Sequence, residues 1–216
     1  MAHLKRHRVP KNWPVARKGS AYLVKPNSDL SKGMPILVVL RDVLGIAQNK
    51  KEVKKAVYLK NVLLNNKPVK SEKESVVLFD TIVLAPSKKA YRIGLSESGK
   101  FAVDEIKENE ASNKIAKIVN KKMLKGKKTQ LNLSDGRNFL SDIKCKVNDS
   151  LLINFKGNKI EKCLEMKEGA EVVVFEGKHT GSKGVIRKIK PERKMVSLTT
   201  NEKELNVLIK QIMVVK

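Results

Sequence analysis

Residues 35–69 have the sequence PILVVLRDVLGIAQNKKEVKKAVYLKNVLLNNKPV, and this stretch decides the fold of the first half of the chain. Apolar side chains recur at helical spacing over 36–44 and again over 53–57, where Asn49 is a suitable N-cap. The segment 62–69 contains an Asn-Asn-Lys-Pro turn, and asparagine tolerates the positive φ of a tight hairpin. We therefore predict a helix, a second helix and a β-hairpin in this order.

The second predicted helix carries a strip of positive charge opposite its apolar face. Lysines occur there in pairs one helical turn apart. A solvated helix face also carries lysines, so each of them alone has a plain structural explanation. As a group they predict a surface for a polyanion. The candidate contacts in this region are Lys50, Lys51, Lys54, Lys55 and Lys60, with Lys67 in the hairpin turn.

The rest of the chain predicts short strands. Segments between 75 and 106 contain alternating or continuous apolar residues separated by glycine turns. Five further segments of this kind lie within 171–215, which indicates a small β-barrel. Ile115, Ile118 and Val119 show a weak helical period. We therefore expect an α+β chain that is mostly β.

Charge and composition narrow the possible partners. The 216 residues include 46 Lys and Arg against 22 Asp and Glu, so the formal net charge is +24, which favours a polyanion. The longest apolar run is far shorter than the ~20 residues that cross a bilayer. No apolar region follows the basic start as in a secretory signal, and the two cysteines are too few for a disulfide framework. We expect a cytosolic protein without membrane contact.

The first 28 residues form a basic segment without an acidic residue. Prolines interrupt any helix here, so we expect an extended arm that does not fold alone and awaits a negatively charged partner. Trp13, the only tryptophan, can stack on a base or anchor the arm against its own domain. The candidate RNA contacts of the arm are Lys5, Arg6, Arg8, Lys11, Trp13, Arg17 and Lys18.

A second block without acidic residues lies between Glu110 and Asp135. It contains seven lysines, and a cluster that no carboxylate neutralises is a better candidate for phosphate contact than a lysine beside a glutamate. From this block we take Lys121 and Lys122 as candidate RNA contacts.

A glycine-rich loop over 177–184 joins two of the predicted barrel strands. Glycine permits positive φ and leaves no Cβ between the chain and a ligand, so Gly177, Gly181 and Gly184 would let RNA approach the backbone. The alternative is that they only satisfy the tight turns of a small barrel. The candidate phosphate contacts here are Lys178, His179, Lys183 and Arg187.

Signatures of enzymes and of metal sites are missing from the sequence. The glycine-rich loop lacks the residue order of a nucleotide-binding phosphate loop and joins two strands. His3 and His7 stand four residues apart, but no third ligand is in view. His179 has no partner in a recognisable order for general-base catalysis. We expect no catalytic residues, no metal, no cofactor and no small-molecule substrate.

A family resemblance covers nearly the whole chain. The segments that carry it are His3-Leu-Lys-Arg6 with Pro10-Lys-Asn-Trp13, Pro35-Ile-Leu-Val-Val-Leu-Arg-Asp-Val-Leu44, Lys60–Val69, Gly99-Lys-Phe101, Lys146-Val-Asn-Asp-Ser150, and Glu176-Gly-Lys-His-Thr-Gly181 with Gly184-Val-Ile186. In this order they resemble the S4e family of small-subunit ribosomal proteins of archaea and eukaryotes. The last of them is similar to the KOW motif of ribosomal proteins and transcription elongation factors.

The resemblance implies a domain division and a function. It implies a basic arm over 1–33, an S4-type RNA-binding domain over 34–95 with Arg41 among its contacts, a central β-rich domain over 96–168 and an SH3-like KOW barrel over 169–216. The protein would be a structural constituent of the small ribosomal subunit in the cytoplasm. It would bind small-subunit ribosomal RNA through the phosphate backbone and lie beside neighbouring ribosomal proteins.

Two other functions remain open on the sequence. The first is a non-ribosomal RNA-binding factor in RNA processing or translation regulation, built from the same modules. The second is an RNA-modifying enzyme with an appended S4-type domain, as in pseudouridine synthases. The enzyme would need a catalytic domain with an active-site aspartate, and no recognisable segment of that kind follows the S4-like unit.

Overall fold

The computed structural model describes residues 4–141, 143–200 and 204–216, so His3 lies outside the described residues. Strands dominate, helices are few and short, and the strand pairs are antiparallel. The expectation of an α+β chain that is mostly β is therefore confirmed. Among the described helices, none is long and apolar enough to span a bilayer.

The first of two compact units comprises Met1–Ser96 and Lys100–Ser112. Its helices and strands share one apolar core, in which Leu37, Val53 and Ile93 are buried. The elements are β1 Leu4–Lys5, a 3₁₀ turn Arg6–Arg8, β2 Tyr22–Leu23, β3 Gly33–Pro35, α1 Ile36–Val38 continued by a π-helical turn Val39–Val43, α2 Lys50–Tyr58, β4 Val62–Leu64, β5 Lys67–Pro68, β6 Ser75–Val77, β7 Thr81–Leu84, β8 Lys89–Leu95, β9 Phe101–Ile106 and a 3₁₀ turn Glu108–Ser112. The sheet order is β5-β4-β7-β8-β9, with β1-β2 and β3-β6 as separate pairs.

The predicted helix, helix and hairpin are confirmed, with the local reasons visible. The Asn49 side chain accepts hydrogen bonds from the N–H groups of Lys51 and Glu52 at 2.9 and 3.1 Å, which satisfies donors of the first turn of α2. Asn65 and Asn66 have φ of 50° and 64°, as a tight hairpin turn requires.

The predicted boundary after residue 95 is wrong. Strand β9 pairs with β8 from Leu95 opposite Phe101 to Ala90 opposite Ile106, so it completes the sheet of the first unit. This short-range hairpin needs only the Gly99 turn, with φ 75°, and local pairing of this kind closes a small loop at little entropic cost. The unit continues to Ser112.

The basic arm is also not the extended, unpartnered segment that its charge predicts. Strand β1 pairs with β2, and Leu4, Trp13 and Leu23 are buried. The Phe101 N–H donates to the Asn12 carbonyl at 2.8 Å, which ties the arm to the edge of the sheet. The burial of these few apolar side chains holds the arm on its own domain despite its charge.

The second unit comprises Glu97–Gly99 and Asn113–Lys216. The elements are β10 Asn113–Met123, a 3₁₀ turn Lys125–Lys127, β11 Thr129–Leu133, β12 Asn138–Leu140, β13 Ser150–Asn154, β14 Lys159–Leu164, β15 Glu171–Val174, β16 Lys183–Lys190, β17 Met195–Thr199, β18 Glu204–Leu208, a 3₁₀ turn Ile209–Gln211 and β19 Ile212–Val214. They form two five-stranded sheets, ordered β12-β11-β10-β13-β14 and β18-β17-β16-β15-β19, each with its own apolar cluster. The five strands predicted within 171–215 are confirmed.

The weak helical period around Ile115 and Ile118 is wrong, because this segment is the long central strand β10. It pairs with β13 along its first half and with β11 along its second half. The register shifts between Ile118 and Asn120. A bulge at this point breaks the two-residue alternation that would have predicted a strand.

Two lysines of β10 are buried inside the second unit. Lys114 Nζ lies 2.9 Å from Asp135 Oδ2, and both side chains are at most 4% exposed. Lys117 Nζ donates to the carbonyls of Ile209 and Ile212 at 2.6 and 2.9 Å. Burial lowers the pKa of Lys117 to about 8, although the Glu176 carboxylate acts in the opposite direction. The Lys117 hydrogen bonds tie the segment around β19 to the central sheet.

Candidate nucleic-acid interface

Four of the predicted contacts lie together on helix α2. We call them the lysine face of α2, and they are Lys50, Lys51, Lys54 and Lys55. All four side chains are exposed. Lys50 Nζ and Lys54 Nζ lie 3.3 and 3.9 Å from Glu72 Oε1. Within the described residues, no carboxylate lies in ion-pair range of Lys51 or Lys55. The face therefore has a partly neutralised half and a free half.

Glu72 sets this division because its carboxylate stays ionised. Burial raises its pKa, but its own backbone N–H and the ammonium groups of Lys50 and Lys54 outweigh that effect and lower the pKa below its usual range. At neutral pH the two lysines therefore share their charge with Glu72, whereas Lys51 and Lys55 keep theirs for a ligand.

An open groove, called the Tyr58 groove below, borders this face between the second half of α2 and residues 68–72. Its volume is about 760 Å³. Tyr58 is 86% exposed at the last position of α2, and sequence reasoning missed it. The available signal was its place directly after Val57, which takes the ring off the apolar stripe. The lining residues are Lys54, Val57, Tyr58, Lys60, Pro68, Val69, Lys70, Ser71 and Glu72.

The remaining predicted RNA contacts of this domain differ in whether their charge is free to contact a phosphate. Arg41 donates from Nε and one terminal nitrogen to the two carboxylate oxygens of Asp42, at 3.0 and 2.9 Å. This neighbouring carboxylate already uses the bidentate geometry that would otherwise grip a phosphate. Lys60 and Lys67 are exposed.

Two residues of the arm serve the fold. Trp13 is 2% exposed within the core of the first unit, so it anchors the arm and cannot stack on a base. Arg6 donates to the carbonyls of Ala16 and Ser20 and to the Ser20 hydroxyl, which organises the loop. The predicted contacts of the arm whose side chains are exposed are Lys5, Arg8, Lys11, Arg17 and Lys18.

The lysine block between Glu110 and Asp135 is not one surface. Lys114 and Lys117 are buried, and Lys121 Nζ donates to the Cys145 carbonyl at 3.2 Å. Lys122 is exposed. The sequence could not separate these roles, because a charge run does not specify which side of a strand faces the protein interior.

The glycines of the 177–184 loop satisfy the fold. Gly181 is buried with φ 94°, and its N–H donates to the Val174 carbonyl at 2.8 Å. A Cβ at Gly184 would lie 2.7 Å from the Thr199 carbonyl oxygen, and one at Gly177 would meet the Gln211 side chain. These contacts support the alternative that the glycines serve the tight turns and close strand packing of a small barrel, and approach of RNA to the backbone of this loop stays a prediction.

The cations beside this loop are unequal. Lys178 and Lys183 are exposed, and His179 is half-buried. Arg187 forms an ion pair with Glu204, which reduces its charge toward a phosphate. Across the part of the chain that the structure describes, no group of three or more His, Cys, Asp and Glu side chains could hold a metal ion.

Comparisons with known proteins give a consistent result. The model of ribosomal family S4e matches residues 87–160. The small ribosomal subunit protein eS4 of Methanocella arvoryzae is 36% identical over 220 residues, covering 99% of this chain and 93% of that protein. Its counterpart in Nanoarchaeum equitans is 37% identical over 191 residues, covering 87% and 82%. The crystal structure of the 30S ribosomal protein S4e from Thermoplasma acidophilum has the same fold, with a TM-score of 0.74 at 23% identity, covering 86% of this chain and 95% of that one.

Proposed function

Since this chain belongs to the ribosomal S4e family, we propose that it is a non-enzymatic structural constituent of the small ribosomal subunit that binds small-subunit ribosomal RNA. Family membership supports the ribosomal role. The observation that carries RNA binding is the lysine face of α2, where Lys51 and Lys55 present charges that no described carboxylate neutralises.

Binding proceeds mainly through phosphates. Each ammonium group that neutralises a phosphate releases condensed counterions, so affinity falls as salt rises. If about eight phosphates are neutralised on paired RNA, log K falls with log salt with a slope of about −7. The base edges of A-form RNA lie in a deep, narrow groove, and the chain is 4% aromatic. Recognition of helix shape and backbone therefore dominates.

Three modules divide this work. The first unit is the S4-type domain together with its folded arm, because it has the helix, helix and hairpin order with lysines on α2. The central sheet forms the second module, and 169–216 forms an SH3-like KOW barrel, supported by five antiparallel strands around one apolar cluster. Exposed cations on separate modules would contact different RNA helices beside neighbouring ribosomal proteins in the cytoplasmic subunit.

Sedimentation of a native lysate through a sucrose gradient tests this function. Quantitative mass spectrometry would measure the chain across the fractions at low and high salt. Amounts equal to those of small-subunit proteins, retained through a high-salt wash, are expected of an integral component. Recovery at the top of the gradient, or loss from subunits at modest salt, would contradict the proposal and favour an RNA-processing or regulatory factor.

A further inference from the structure

The Tyr58 groove has a chemistry that phosphate contact alone does not use. The Tyr58 ring is 86% exposed, and Lys54, Lys60 and Lys70 line the same groove. An aromatic ring is a large apolar surface whose burial is favourable. A ring left in water among ammonium groups therefore matches a ligand that combines a flat face with negative charge.

The walls of the groove are fixed by the fold. Val57, Pro68 and Val69 supply apolar lining. The Val69 N–H donates to the Val62 carbonyl at 3.1 Å, and the Lys70 N–H donates to Glu74 Oε2 at 2.9 Å. A ligand would therefore meet a preorganised wall, which lowers the entropic cost of binding.

The one carboxylate in the groove does not oppose an anion strongly. Glu72 lies 3.3 and 3.9 Å from Lys50 and Lys54, so its charge is compensated before a ligand arrives. Lys60 and Lys70 have no carboxylate in ion-pair range among the described side chains. The electrostatic balance of the groove is therefore positive.

We infer that the Tyr58 groove binds a single unpaired nucleotide of RNA, with the base stacked on the Tyr58 ring and the adjoining phosphates contacted by Lys60 and Lys70. The inference rests on the proposed RNA binding and adds to it a preference for a bulged or looped-out nucleotide. An acidic peptide would match the lysines but would leave the ring uncovered. Every base has a π-face, so stacking distinguishes unpaired from paired nucleotides with little regard to identity.

The test compares two hairpin RNAs that are identical except for one unpaired 2-aminopurine in the stem of the first. The full chain would be titrated with each, measuring the dissociation constant and, for the first RNA, the quenching of 2-aminopurine by stacking. The variants are Tyr58→Ala and Tyr58→Phe. The matched control is Leu59→Ala, because Leu59 is the neighbouring exposed side chain and does not line the groove.

The dissociation constant of the wild type is expected to be lower for the bulged hairpin than for the paired one by a factor of about five or more. This factor corresponds to the free energy that one base–aromatic stack contributes to binding. Tyr58→Phe and Leu59→Ala should keep this preference and the quenching. Tyr58→Ala should lose both while binding the paired hairpin as the wild type does.

Three results would count against the inference. Equal affinity of the wild type for the two hairpins would overturn the nucleotide site alone, as would an undiminished preference in Tyr58→Ala. Binding of neither hairpin by the wild type would overturn the proposed RNA-binding function, and this inference with it.

Discussion

Two double substitutions on α2 separate its free cations from its paired ones. Lys51→Ala with Lys55→Ala removes two ammonium groups that no described carboxylate neutralises. Lys50→Ala with Lys54→Ala removes the same formal charge but leaves Glu72 without its two partners. We expect the first variant to lose part of its salt dependence. The second should keep more of the slope and lose more affinity at low salt, because an ionised carboxylate then faces the RNA.

The magnitude follows from counterion release. Each phosphate contact on paired RNA contributes about 0.9 to the slope of log K against log salt, so two contacts contribute about 1.8. When salt rises from 50 to 200 mM, the affinity of the wild type should therefore fall by a factor about 12 times larger than that of Lys51→Ala with Lys55→Ala. Adding Glu72→Gln to Lys50→Ala with Lys54→Ala should recover part of the low-salt affinity that this variant loses.

Fluorescence anisotropy with a labelled RNA duplex at four salt concentrations would measure these slopes. Lys156→Ala with Lys159→Ala is the control, since both side chains are exposed on a hairpin outside the proposed contacts. Equal slopes for the two α2 variants would refute the role of Glu72. An unchanged slope in Lys51→Ala with Lys55→Ala would remove this face from the interface.

Two further predictions concern the buried lysines of β10. Lys114→Met should lower the free energy of unfolding by about 3–5 kcal/mol, because it removes the ammonium partner of the buried Asp135 carboxylate. That carboxylate would keep Arg137, whose Nε lies 3.7 Å from Oδ2 and whose backbone N–H donates to Oδ1 at 3.1 Å. Urea unfolding followed by circular dichroism measures the change, and a loss below about 1 kcal/mol would mean that the Arg137 contacts suffice. Lys117 has a pKa of about 8 against the usual 10.5, so between these pH values the unfolded state holds a proton that the folded state has released, and stability should rise with pH by up to about 3 kcal/mol relative to Lys117→Met. Parallel pH profiles of the two proteins would contradict that reasoning.

Local signals predicted much of the fold. The Asn49 cap, the apolar stripe of α2 and the Asn65-Asn66 turn each act within a few residues, and the structure confirms the elements they define. The five strands of the last segment follow for the same reason. A hairpin or a helix cap depends on residues that are close in sequence, so the sequence is sufficient to predict it.

Tertiary contacts decided what the sequence could not predict. The burial of Trp13, Lys114 and Lys117 depends on partners far along the chain, such as Ile209 for Lys117. The pairing of α2 lysines with Glu72 likewise joins segments that no spacing rule connects. Runs of charge in the sequence predicted where cations are abundant, but they could not predict which of these cations form ion pairs with a carboxylate.

The tie between the arm and β9 has a consequence for protein synthesis. The Asn12 carbonyl accepts its hydrogen bond from Phe101, a residue translated about 90 positions later, which takes roughly 4–18 s at elongation rates of about 5–20 residues per second. During that interval Trp13 and Leu4 cannot reach their completed core. A growing chain therefore exposes this cationic and aromatic segment for seconds, at a site of synthesis rich in nucleic acid, before β9 is made and can hydrogen-bond to it.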